Sequence, residues 1–452
     1  MTYRIGSGAG FSGDRVDAAG PVVAEIARHG RGGAILFETI GERTLALGTL
    51  ARRQDPGAGY EPLLAQFLAP ILAPCAEAGI VIVGNFGCAN PPAAADLIAR
   101  LAADAGVAPT IAVVEGDDVV GAIDLAQHEV WEGERALPPV DAAPVSANAY
   151  IGARPIADAI LAGATIVVTG RVADPALALG PLVAHFGWAW DDLDRIAAGT
   201  LVGHLLECGA QVTGGYFADP GVKDVPSPEA IGFPIAEAEA DGTFVVTKPS
   251  GTGGCVDRRT VTEQLLYEIH DPAAYLTPDV TLNITGVELA DDGPDRIAVR
   301  GARGHPAPEL LKATVGFAGD WLGEAEISYA GPNARARGEL AAETLRARLA
   351  LRGLDLMHRI DLIGVSSAFD SDAGALWKDA SWPAAEDVRV RLAVRDGDRP
   401  RVEAALQEVT ALYCCGPAGG GGVRTRVVPR IETRSALVPR NLAAPRFTIR
   451  GA

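Results

Sequence analysis

The chain has 452 residues, 48% of them hydrophobic and 21% charged, with a formal net charge of −18 at neutral pH. That is length for two or three domains and for a core that needs no disulfides. The acidic balance argues against nucleic-acid binding and against docking on anionic membranes, although local arginines and backbone amides can still hold an anionic small molecule.

Along the chain, short apolar runs alternate with polar loops and alanine-rich helices. A first strand is predicted from Tyr3, followed by a glycine-rich loop (Ser7 to Gly20) and a helix through Ile26. Further strands are predicted at 34–37, 79–83, 110–114 and 164–168, with a helix over 42–53 and another opened by Pro91-Pro92. The runs are continuous, rich in β-branched residues and bounded by turn formers, the pattern of strands buried on both faces of a parallel sheet. Right-handed crossovers then place helices on both faces. A helix-rich stretch follows at 175–211. From about residue 230 strands are predicted at 234–240, 243–248, 281–289, 296–300, 325–329 and 388–394, with helices at 261–269 and 334–351. The expectation is an α/β domain over 1–229, a mostly parallel sheet carrying the site loops, and an α+β domain over 230–452.

The six cysteines (Cys75, Cys88, Cys208, Cys255, Cys414 and Cys415) form no CxxC pair, so reduced, mostly buried thiols are expected and no metal site. No signal peptide pattern opens the chain and no apolar run reaches the ~20 residues of a membrane span. A cytoplasmic protein is the expectation, with no membrane or nucleic-acid partner.

In open α/β sheets ligands bind beyond the carboxyl ends of the strands. The residues there are the Ser7–Asp14 loop, Glu38, Asn85 to Asn90, Glu115 to Asp117 and Thr169 to Asp174. Gly8, Gly10 and Gly13 match GxGxxG, but the helix starts too late for a dinucleotide fingerprint. The loop, with Ser7, Ser12 and Asp14, reads either as an anion-binding turn or as a tight turn without ligand. Arg171, leaving a buried strand, could hold a carboxylate or phosphate bidentately, or pair with an acid of another loop. Asp174 before Pro175 has the form of a helix N-cap. His204, Glu207, Cys208 and Gln211 share one helix face, fit for acid–base chemistry or for packing beneath loops. Lys248 with the glycines after it suggests an anion cradle, but the P-loop order is absent. Ser366-Ser367 gives no hydrolase elbow.

The stretches IGSGAGFSGDR (5–15), FETIGERTLAL (37–47), NFGCANPPAAA (85–95), VTGRVADPALALGPL (168–182), GTLVGHLLECGAQVTGGYFADPG (199–221), FVVTKPSGTGGCV (244–256), YLTPDV (275–280) and GPAGGGG (416–422) resemble the acyclic terpene utilisation (AtuA) family. The resemblance implies branched acyl-CoA or carboxylate metabolism, and gives no assigned catalytic residues. It further implies a short form lacking the C-terminal ferredoxin-like domain of many relatives, which leaves open either a small ferredoxin-fold partner subunit or a stand-alone role.

The resulting expectation is an enzyme, a homo-oligomer, acting on an anionic organic acid or its CoA ester by lyase or hydratase chemistry. CoA would enter as part of the substrate, and the cofactor is otherwise unassigned. Glu38 or Glu115 would be the general base, and Asn85 or Asn90 a donor to the enolate oxygen. Arg171 and Lys248 would stabilise charge. Ser7, Gly8, Gly10, Ser12, Asp14, Thr169, Asp174, His204 and Glu207 would bind substrate. The competing expectations are a non-catalytic accessory subunit of an acyl-CoA enzyme complex, and a nucleotide-dependent ligase built on Lys248-Pro249.

Overall fold

The computed structural model describes residues 2–125, 130–132, 135–136, 143–368, 370–375, 378 and 385–450, with backbone only at 130–132 and 135–136. The chain divides into two compact units, residues 1–317 with 433–452, and residues 318–432.

The first unit is built on a ten-stranded mixed sheet. Its centre is parallel: Tyr3–Ala9, Ala34–Phe37, Val81–Gly84, Ile166–Thr169 and Ile111–Glu115, in that spatial order. These are the β-branched runs, and they are buried because side chains on both faces have helices to pack against. Leu36, Val83, Val114 and Val167 point into one core with the helices Arg154–Leu161, Ala176–Phe186 and Leu193–Glu207. Ile35, Phe37, Ile82, Val113 and Val168 point into the other, with Ala19–Arg28, Leu72–Ala78 and Pro91–Asp104. Alternation along each strand thus fills two cores, each large side chain contributing roughly 1.5–3 kcal/mol of burial.

Antiparallel strands extend the sheet at both edges. Arg446–Arg450 pairs with Ile111–Glu115. On the other side Ile235–Ala238 pairs with Tyr3–Ala9, followed by Phe244–Thr247, Ile297–Arg300 and Glu288–Asp291. The expected domain boundary at 229/230 therefore does not coincide with the observed division: the strands just after it complete the first sheet. Alternating strand patterns give strand existence but not strand partners, so the switch from parallel to antiparallel texture looked like a new domain.

The second unit runs strand, helix, strand, strand, helix, strand: the later part of Leu310–Ala330, Ala334–Leu351, Met357–Ile363, Asp387–Asp396, Arg399–Cys415 and the earlier part of Gly421–Pro439. Both helices share one core with the sheet, through Leu345, Leu349, Val402, Leu406 and Val409 against Ile327, Val390 and Leu392. Numbered within the unit, the strand order is 2-3-1-4, the ferredoxin-like split βαβ arrangement. A ferredoxin-like unit thus lies within this chain, whereas the expectation placed one only outside it. Among the described residues, all six cysteines are free; two are buried, two half-buried and two exposed, so the thiols are less buried than expected.

Candidate active site

Three of the parallel strands, Tyr3–Ala9, Ala34–Phe37 and Ile166–Thr169, deliver their carboxyl ends to a cavity of about 550 Å³ in the first unit. Its walls include Glu38, Ile40, Tyr150, Arg171, Asp174, Glu207 and Cys208, and its lip includes Phe11 and Tyr216, 56% and 89% exposed. Two glycines bring these elements together. A Cβ on Gly203 would lie 2.4 Å from the Pro175 carbonyl oxygen, so only glycine lets the Leu193–Glu207 helix settle on the start of the preceding helix, Ala176–Phe186. That contact sets Glu207 within electrostatic reach of Asp174. A Cβ on Gly10 would lie 2.4 Å from the backbone at Cys208 and Gly209, so the first loop closes over the end of the same helix.

Arg171 is the centre of the floor and is wholly buried. Its Nε donates to the Val172 carbonyl at 2.8 Å, its Nη1 to the Ile40 carbonyl at 2.7 Å, and its Nη2 pairs with the Asp174 carboxylate. The guanidinium carbon lies 4.1 Å from the centre of the Tyr150 ring, a cation–π stack. Tyr150 in turn donates to Glu42 at 3.1 Å. Asp117, buried behind the floor, accepts from the Arg171 backbone N–H at 2.9 Å and from Asn148 at 2.8 Å. Arg171 is therefore a keystone with three acceptors already engaged.

Glu38 accepts from the Ile40 N–H at 2.7 Å and from Asn85 Nδ2 at 2.9 Å, both on Oε1. Among the described residues nothing donates to its Oε2. Burial, and then the nearby Asp174 charge, raise its pKa well above the ordinary carboxyl range, with Arg171, Asn85 and the Ile40 amide opposing. Asp174 is also raised by burial against the pull of Arg171, but it holds the direct ion pair and keeps 31% of its side chain exposed. The proton of this pair accordingly belongs on Glu38. Burial pushes Asp117 up to about 6.

A second buried pair lies alongside. His204 Nδ1 and Glu207 Oε1 are 3.1 Å apart, while His204 Nε2 and Glu207 Oε2 are buried without hydrogen-bond partners among the described residues. Burial lowers the His204 pKa to about 4 and raises that of Glu207 well above the usual range, the latter helped by Asp174 and Glu268. The contact is thus a neutral hydrogen bond, not an ion pair.

A family model described as acyclic terpene utilisation family protein AtuA matches residues 3–449. The chain belongs to that family. No curated protein and no solved structure matches it.

In this AtuA-family chain the cavity gathers Gly10, Asp14, Glu38, Arg171, Asp174, Glu207, Cys208 and Gln211 from among the residues singled out in the sequence. Asn85 and His204 stand just behind, bonded to Glu38 and Glu207. The rest lie elsewhere or are spent on the fold. Glu115 lines a different groove, 3.9 Å from Arg446 of the edge strand. Lys248 donates to the Thr252 carbonyl and pairs with Asp295, in a separate groove. Asn90 donates to the Pro56 and Ala58 carbonyls, and Thr169 to the Gly170 carbonyl. Ser7 is buried on a strand that continues to Ala9, its Oγ donating to the Ala9 carbonyl. Gly8 lies in that strand, where a Cβ would meet the Phe37 ring at 2.5 Å. Ser12 stands in the turn after it, off the cavity wall. The Gly10 amide donates to Asp14 at 2.8 Å, so the turn serves its own aspartate. Asp174 does not cap a helix through its side chain, because Arg171 takes the carboxylate.

Sequence reasoning missed Tyr150, Glu42 and Glu268 as cavity residues. Tyr150 and Glu268 lie outside the strand-end rule, and Glu42 begins a helix. One signal is structural: Tyr216 and Glu268, both on the cavity wall, have positive φ of 57° and 58° without being glycine, the kind of backbone that clusters at ligand sites. Among the described residues no group of His, Cys, Asp and Glu is arranged to hold a metal ion, and no helix is long and apolar enough to cross a membrane.

Proposed function

We propose that the chain is an enzyme of acyl-thioester metabolism that transfers a proton at the carbon next to the thioester carbonyl, in a lyase or hydratase type of reaction, with Glu38 as the acid–base group. The observation that carries this reading is the Glu38 carboxyl: buried, oriented through one oxygen by Asn85 and the Ile40 amide, and turned to a cavity whose Arg171 is already engaged. A carboxyl with a raised pKa can exchange a proton near neutral pH, which an exposed one does poorly.

The charge of the wall selects the reacting group. Six carboxyl side chains (Asp14, Glu38, Glu42, Asp174, Glu207 and Glu268) face two guanidinium groups (Arg15 and Arg171). A free carboxylate would enter against that field, whereas a neutral thioester carbonyl would not. The apolar lip, with Phe11, Phe233, Ile231 and Pro228, suits an acyl chain. Glu207, protonated and opposite in role to Glu38, supplies a proton to a departing hydroxyl, and in its ionised form takes one from an arriving water. In an elimination Glu38 first yields its proton to solvent, its ionised form takes the C–H proton, the C–O bond breaks, and Glu207 gives its proton so that water leaves. Family membership supports the acyl-CoA class of substrate.

The test is deuterium incorporation from D2O into isovaleryl-CoA, 3-hydroxybutyryl-CoA and crotonyl-CoA, read by mass spectrometry, beside the corresponding free acids. Exchange into a thioester and none into its acid is the expected result. Exchange into the free acids alone would overturn the assignment of the reacting group, and exchange into neither would overturn the proposal.

A further inference from the structure

Away from this cavity, the first unit carries a second open groove of about 650 Å³ whose lining includes Arg154, Arg440, Arg446, Trp190, Phe447 and Asp158. The chain carries a net charge of −18, yet three arginines line this groove, and Arg446 also borders the groove of Glu115, Arg52 and Arg53. Most arginines here have a carboxylate within salt-bridge distance; among the described residues these three do not, except for the loose 3.9 Å approach of Arg446 to Glu115. Two of the three are held in place without being neutralised. The Arg154 guanidinium lies 4.7 Å from the centre of the Trp190 indole. Arg440 donates from Nε to the Pro308 carbonyl at 2.9 Å and from Nη2 to the Pro278 carbonyl at 2.8 Å. Carbonyl and ring contacts fix a guanidinium without pairing it directly, although the buried Asp279 acts on Arg440 and Arg154 from beneath. Fixing it beforehand also lowers the ordering cost of binding.

Two acids oppose them. Asp158 lies one helical turn beyond Arg154 on the groove wall. Asp279 lies beneath, both its oxygens accepting from the Ala153 N–H at 3.1 and 2.9 Å, and it is pushed up to about 6 by burial. The arginines outnumber them, and the groove also offers aromatic and apolar surface from Trp190, Phe447, Pro155 and Pro445.

We propose that this groove binds the phosphates of a nucleoside diphosphate, with Arg154, Arg440 and Arg446 on the phosphates and the Trp190–Phe447 surface against the nucleoside. Paired guanidinium forks match phosphate oxygens bidentately, and the flat apolar walls explain why a nucleoside is favoured over phosphate alone. The site stands apart from Lys248 and its glycines, and its existence does not depend on the chemistry assigned to Glu38.

The experiment is calorimetric titration of the full chain with ADP, with pyrophosphate and with adenosine at low and moderate salt. ADP is expected to bind more tightly than pyrophosphate, to weaken as salt rises, and to lose at least tenfold in affinity in Arg154→Ala and in Arg446→Ala, both exposed positions. Asp158→Asn is expected to tighten ADP two- to threefold, an effect that a folding defect cannot mimic. Absence of ADP binding, equal binding of pyrophosphate and ADP, or affinity unchanged in the arginine variants would each overturn the proposal. Glu38→Gln is expected to leave ADP binding intact, so the outcome is independent of the acyl-thioester reading.

Discussion

Replacing Arg171 by lysine tests whether the floor of the cavity is a built electrostatic unit. Arg171 satisfies the Val172 and Ile40 carbonyls and the Asp174 carboxylate at once, and stacks on Tyr150. A lysine keeps the charge but has a single nitrogen, which cannot meet all three acceptors from one position. Losing two hydrogen bonds made by a charged donor costs ~3–6 kcal/mol, and disturbing a buried ion pair falls in a similar range, about 3–5 kcal/mol. These overlap, so ~4 kcal/mol is the expected loss. For a unit of roughly 340 residues this lowers the melting temperature by about 6 °C. Differential scanning calorimetry of the two proteins, with circular dichroism to confirm the fold, measures it. A variant melting within about 1 °C of the parent would refute the claim that Arg171 is committed to the fold of the floor.

Other expectations follow from the same geometry. With its folded-state pKa lowered to about 4, His204 binds fewer protons than its unfolded counterpart between that pH and the ordinary ~6.5. Stability from this group is therefore complete above ~6.5 and is lost as pH falls, by roughly 3 kcal/mol once below the folded value. Urea unfolding from pH 4 to 7 should show a shallower acid decline in His204→Gln, and a histidine that titrates near its ordinary value by NMR would contradict this. Asp117, raised to about 6, runs the other way, contributing stability that is lost as pH climbs through that value. Asp117→Asn, which can keep an oxygen for the Arg171 and Asn148 donors, should gain relative stability above pH 6, readable in the same melts. Gly10→Ala should cost at least ~2 kcal/mol, because the added methyl meets fixed backbone at Cys208 and Gly209; a neutral outcome in thermal melts would show that the loop can move away.

Much of the fold was legible where local pattern decides it. The run at 34–37 is a strand as read, those at 79–83, 110–114 and 164–168 differ only at their ends, and the helix over 334–351 has the expected bounds. What stayed hidden is non-local. Arg446–Arg450 carries alternating polar residues and joins the sheet by pairing antiparallel with Ile111–Glu115, far away in sequence, and its Arg446 shares with Glu115 a different groove. The helix Arg399–Cys415 and the ferredoxin-like topology around it depend on pairings that no local window contains. In the site, Glu38, Arg171, Asp174 and Glu207 were visible because strand ends and helix spacing expose them. Their division of labour was not: Arg171 reads equally as an anion binder or an internal partner until its three acceptors are seen. Tyr150, stacked on Arg171, follows a strand that the central sheet does not include.

The central claim is that Glu38 moves the proton. Rates of deuterium incorporation next to the carbonyl of whichever CoA thioester exchanges, compared between the parent protein and Glu38→Gln, test it most directly. The glutamine can keep an oxygen for the Ile40 and Asn85 donors, so the fold is expected to survive. Loss of a positioned acid–base group should slow exchange by about 10²-fold or more, while Glu115→Gln leaves it unchanged. Exchange in Glu38→Gln at the parent rate would contradict the account.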